Sequence, residues 1–192
     1  MAKPWADAGY ECYCVDVQHS VRRPRTVGNI TYMWGDVRTW VPPEHLRGRI
    51  AFIGAFPPCT HVTKVGARDF RTKGTALLRD SLEFFSACYS AIAWSGARGF
   101  VENPVGKFSD HMLPPDYTFQ PWEFGDLWTK LTCLWVLNGF VMPPRLHAVK
   151  PDGVRERIVK MAPSRDRADK RSETPPGFAR AVFQANGHPL EP

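Results

Sequence analysis

Four short apolar runs in this chain each end on a residue that can bind or react. Residues 11–17 (Glu-Cys-Tyr-Cys-Val-Asp-Val) carry Asp16 near their end, and residues 30–34 close on Gly35-Asp36. Residues 50–56 stop at Pro57-Pro58-Cys59, and residues 99–102 lead into Glu102-Asn103-Pro104. Apolar runs of this length, bounded by turn residues, read as buried strands. Residues 132–137 are a fifth candidate. Between the third and fourth, residues 75–94 read as a helix. Leu78, Leu82, Phe85 and Ile92 recur at helical spacing, while Arg79, Asp80 and Glu83 face elsewhere. Further helices are expected at 2–8, stopped by Gly9, and at 174–187, with Pro at its start and Gly just past its end. Strands alternating with helices predict an α/β fold: an open, mostly parallel, twisted sheet with flanking helices. In such a sheet ligands bind at the carboxyl ends of the strands, where all four groups fall.

The length, 192 residues, suits one domain or one domain with a tail. At 43% hydrophobic residues the chain can bury a sizeable core, yet it has no apolar run long enough for a membrane helix. Five scattered cysteines and an N-terminus without an apolar leader predict a reducing, cytoplasmic setting. The net charge of +6 is unevenly placed: residues 141–180 hold ten Lys/Arg and five Asp/Glu. A basic stretch beside a nearly neutral remainder points to a polyanion, most often nucleic acid. The expected organisation is a core over 1–140, a basic Pro-rich segment over 141–173 and a C-terminal helix over 174–192 packing back on the core. The Pro-, Gly- and aromatic-rich residues 104–128 read as an ordered loop.

Cys59 is the best candidate nucleophile. Two prolines restrict the backbone before it, and the following loop carries Lys64, Arg68, Arg71 and Lys73. Nearby cations favour the reactive thiolate. Cys12, Cys14, Cys88 and Cys133 lack that setting and read as structural. Glu102 suits an acid or an anchor for a ligand amino group, with Asn103 holding the turn. Asp16 and Asp36, taken singly, suit either helix caps and turns or the binding of ribose hydroxyls and an adenine amino group. The spacing Cys12-x-Cys14 and the scattered histidines predict no metal site. No phosphate-binding loop or Ser-His-Asp signature is present.

Taken in order, Asp16, Asp36, Phe-Pro-Pro-Cys at 56–59 and Glu-Asn-Pro at 102–104 resemble the DNA cytosine C5-methyltransferases. The chain is most similar to small phage-encoded proteins of that type. They share a Pro-Pro-Cys-Thr-His stretch (57–61), Gly-Ala-Arg-x-Phe (66–70), Glu-Asn-Pro-x-Gly (102–106), Gln-Pro-Trp-x-Phe-Gly (120–125) and Thr-Lys-x-Thr-Cys-Leu-Trp (129–135). The resemblance covers roughly residues 8–140.

This resemblance implies a Rossmann-like methyltransferase fold, shortened at its N-terminus because the chain begins about where the family's glycine-rich loop ends. It implies that Cys59 adds to cytosine C6, Glu102 binds and protonates the ring, and Asn103 supports the pocket. Asp16, Asp36 and Pro57 would hold S-adenosylmethionine. Lys64, Arg68, Arg71 and Lys73 would meet DNA phosphates, and Lys130 would approximate the family's basic active-site residue. The base would be flipped out of the duplex. The expected partner is DNA, with a second copy or a host protein as further partners, and the expected place is the host cytoplasm. Two alternatives stand beside this reading: another pyrimidine C5-modifying enzyme on the same scaffold, or a non-catalytic relic that binds DNA or a host protein.

Overall fold

The computed structural model describes residues 1–59, 62, 70–106, 108–156 and 172–187, and for 70–74 the backbone alone. Its strands are β1 Cys12–Val15, β2 Arg25–Val27, β3 Ile30–Met33, β4 Phe52–Ala55, β5 Arg98–Pro104, β6 Tyr117–Phe119 and β7 Thr132–Leu137. Its α-helices are α1 Ala2–Asp7, α2 Phe70–Ser95, α3 Phe108–His111 and α4 Pro176–Asn186.

The α/β class holds, with open sheets, but the strands form two sheets, in the orders β1-β3-β2 and β4-β5-β7-β6. The pairings β1–β3 and β4–β5 are parallel, whereas β2–β3, β5–β7 and β6–β7 are antiparallel. The expectation of a mostly parallel sheet is therefore corrected to mixed sheets. The reason lies in the connections. A parallel pair needs a long crossover, usually a helix, and α2 supplies one between β4 and β5. In the first sheet β2 and β3 instead form a hairpin: Val27 pairs with Ile30 across Gly28-Asn29. Gly28 sits at φ +56°, which a residue with a Cβ adopts reluctantly. The expected loop over 104–128 contains α3, β6 and a short 3-10 turn, Pro121–Phe124.

The second sheet is covered on both faces. On one, α2 packs Phe85, Cys88 and Ile92 against Val101, Cys133 and Trp135. On the other, α4 packs Phe178 and Val182 against Phe100, Phe119, Phe124 and Leu134. Each buried Phe contributes about 1.5–3 kcal/mol. The Phe119 and Phe178 rings stack with centroids 4.0 Å apart. The buried Asn186 side chain bonds both the N–H and the carbonyl of Val141, fastening the end of α4 to the chain just after β7. In α1, Trp5 stacks on Phe52 of β4 at 4.8 Å and meets Phe183 of α4 edge-on. Among the described residues no helix is long and apolar enough to cross a membrane.

Candidate functional site

Strand β5 runs past its last pairing with β4, Ala55 with Val101, so Glu102, Asn103 and Pro104 extend beyond the carboxyl end of β4. There they meet the turn that carries Cys59. The Asn103 side-chain amide donates to the Pro57 carbonyl at 3.0 Å, and both residues are buried. Cys59 is half-buried and packs at the edge of the α2-side cluster. Its carbonyl accepts a hydrogen bond from the N–H of the buried Val62 at 3.1 Å.

Because successive side chains of a strand alternate, Glu102 and Asn103 face opposite ways. Asn103 pairs with Cys133 and shares the face of Val101. Glu102 pairs with Leu134 and shares the face of Phe100. There the Lys130 ammonium lies 3.6 Å from Glu102 Oε1, with only 7% and 10% of the two side chains exposed. That distance makes an ion pair without a hydrogen bond. Glu102 Oε1 and Asn103 Oδ1 are both buried acceptors with no hydrogen-bond donor among the described residues. Such atoms are uncommon in folded proteins, where buried acceptors are met by a protein donor, an ordered water, an ion or a ligand. Burial pushes the Glu102 carboxyl up from its ordinary value, and the Lys130 charge offsets this only in part. Removal from water penalises the charged form, so the carboxyl keeps its proton to higher pH than an exposed glutamate does.

Lys130 owes its place to the loop before β7. Gln120 and Glu123 form a reciprocal capping box around the turn Pro121–Phe124. Gln120 Oε1 also accepts the backbone N–H of Lys130 at 2.9 Å, and the Lys130 carbonyl accepts the Thr132 hydroxyl. Arg145 reaches Glu123 at 3.3 Å and braces the box from outside. The Gln-Pro-Trp-x-Phe-Gly and Thr-Lys motifs are thus one positioning device for the Lys130 ammonium. The bracing by Gln120 and Glu123 was not expected, although their spacing carries the capping signal.

The other candidates lie apart from this group. Asp16 and Asp36 follow the parallel neighbours β1 and β3 of the first sheet. Asp16 is exposed, and its Oδ1 accepts the Gln18 N–H at 2.8 Å. Asp36 is engaged by Arg38 through both oxygens, one of them 2.6 Å from the guanidinium, and this holds its carboxyl below the usual range. Arg38 also pairs with Asp80, tying the end of β3 to α2. Lys64 and Arg68 lie outside the described residues, as do the side chains of Arg71 and Lys73. Among the described residues no group of His, Cys, Asp and Glu is gathered as a metal site would need.

Of the remaining thiols, burial raises Cys88 to about 12, and burial together with the neighbouring Glu102 raises Cys133 to about 11. Cys12 and Cys14 are raised as well, chiefly by burial. In comparison with known proteins, no family model and no curated protein matches this chain.

Proposed function

We propose that this chain is a DNA cytosine C5-methyltransferase-like enzyme that adds Cys59 to C6 of an extruded cytosine. The observation that carries the reading is the junction of β4 and β5. There Asn103 binds the turn before Cys59, while the adjacent Glu102 is buried, its carboxyl pushed up by that burial, with the Lys130 ammonium 3.6 Å away.

In the reaction, the Cys59 thiolate forms a bond to C6. The π electrons of the C5–C6 double bond shift into the ring as N3 takes the proton held by Glu102. The Glu102 carboxylate left behind sits 3.6 Å from the Lys130 ammonium, which stabilises it at the moment it forms. C5 is thereby made nucleophilic. Asn103 sets the position of the thiol through Pro57 and is a positioning residue. Lys64, Arg68, Arg71, Lys73 and the basic residues of 141–180 would meet DNA phosphates.

S-adenosylmethionine, when bound, supplies an electrophilic methyl group. The residues present suit its adenosine in part. Asp16 offers an exposed carboxylate at a strand end, as a ribose requires, whereas both oxygens of Asp36 are held by Arg38. The engagement of Asp36 favours a second reading, a pyrimidine C5-modifying enzyme that uses a different one-carbon donor.

The test is DNA with 2-pyrimidinone at the target position, which accepts a thiolate at C6 without any methyl donor. A covalent adduct at Cys59 in wild type, absent from Cys59→Ser, is expected. No adduct on duplex or single-stranded DNA sinks the enzyme readings and leaves a binding protein. Calorimetric titration of S-adenosylmethionine then separates the first reading from the second.

A further inference from the structure

The first sheet carries a cavity of about 420 Å³, distinct from the Cys59 site on the second sheet. It is lined by Val21, Arg22, Arg23 and Pro24 from the segment entering β2, and by Met33 and Trp34 at the end of β3. Trp34 is 62% exposed, unusual for the largest apolar side chain. Arg22 and Arg23 are exposed, as is Arg25 at the start of β2. Three of four consecutive residues are thus cations around an open indole, and no acid lines the cavity.

These arginines also lack internal counter-charges. Arg38, Arg79 and Arg145 each have an acidic partner at 3.5 Å or less. Arg22, Arg23 and Arg25 have no side-chain hydrogen bond or ion pair among the described residues. The one acid close by in sequence, Asp16, is turned to the Gln18 N–H. Guanidinium groups match phosphate geometry with two parallel N–H donors, and an exposed indole is a platform for a planar base. Both line the one cavity, as the phosphate and base of one nucleotide would require.

We propose that this cavity is a nucleotide-binding site in which Trp34 stacks a base and Arg22 and Arg23 hold its phosphate. The nucleotide is either free or one unit of a single strand. The proposal does not depend on Cys59 chemistry.

The test uses fluorescein-labelled oligothymidine by anisotropy and AMP by calorimetry, on wild type, R22A/R23A and W34A. The substituted residues are exposed, so unchanged melting of both variants is the folding control. R22A/R23A is expected to weaken binding at least about tenfold and to reduce the salt slope by about one to two. W34A is expected to weaken it about fivefold or more. Binding of AMP with these losses marks a free-nucleotide site, and binding of the oligonucleotide alone marks a strand site. Equal affinities in all three proteins, no binding of either ligand, or binding of polyglutamate in their place overturns the proposal.

Discussion

The Asn103 carboxamide and the Pro57 carbonyl meet at 3.0 Å in the protein interior, joining the end of β5 to the turn that presents Cys59. Removing one partner leaves a buried carbonyl unsatisfied. Asn103→Ala is expected to cost about 1–3 kcal/mol of stability in urea unfolding. It is also expected to lower the yield of the Cys59 adduct more than Asn138→Ala does, a substitution that removes amide bonds far from the turn. Equal adduct yields would show that the bond merely holds the fold.

Glu102 makes stability depend on pH in a definite direction. Its folded carboxyl holds a proton to higher pH than the unfolded chain does, because it is buried. Its contribution is complete below the ordinary value of 4.5 and is lost as the pH rises toward the raised one. Glu102→Gln stays neutral throughout. Unfolding free energy of wild type minus that of the variant should therefore fall as the pH rises above about 4.5. A flat difference removes the buried acid from the site.

The thiols differ sharply in availability. With Cys88 raised to about 12 and Cys133 to about 11, neither forms appreciable thiolate near neutrality. Native protein treated with iodoacetamide at about pH 8 is expected to be labelled at Cys59 before either of them. Peptide mass spectrometry reads this directly, and early labelling of Cys133 contradicts its burial.

Gly99 lies between β4 and β7, and a Cβ there would press on the Ile53 carbonyl and sit 3.0 Å from Ile92 Cγ2. The carbonyl belongs to a paired strand and cannot withdraw. Gly99→Ala is expected to destabilise by about 3 kcal/mol, at the upper end of overpacking costs. An unchanged urea midpoint would mean that the two strands separate more readily than their pairing implies.

The parts of the fold that depend on apolar runs were legible in the sequence. Strand β7 has its expected bounds, α2 covers the expected 75–94 but begins at Phe70, and β1, β3 and β4 end shortly before Asp16, Asp36 and Cys59, whereas β5 runs on to Pro104 and so contains Glu102. Strand direction was not legible, because an apolar run reads the same either way. Strand β2 escaped notice because Arg25, Thr26 and Val27 are all exposed and show no alternation. The role of Arg38 is legible in the Asp-Val-Arg spacing of residues 36–38, which lets a guanidinium fold back on the carboxylate two residues before it. The arginines at 22, 23 and 25 vanished into a near-neutral average once charge was summed over the whole chain outside 141–180.

The pleat of β5 has an evolutionary corollary. Glu102 and Asn103 serve opposite sides of one layer only because they are consecutive, so inserting or deleting a residue upstream would exchange their surroundings. The carboxyl would then confront the proline turn and the amide would confront the lysine. The surrounding loops could change in length without that exchange, whereas the spacing within the strand could not.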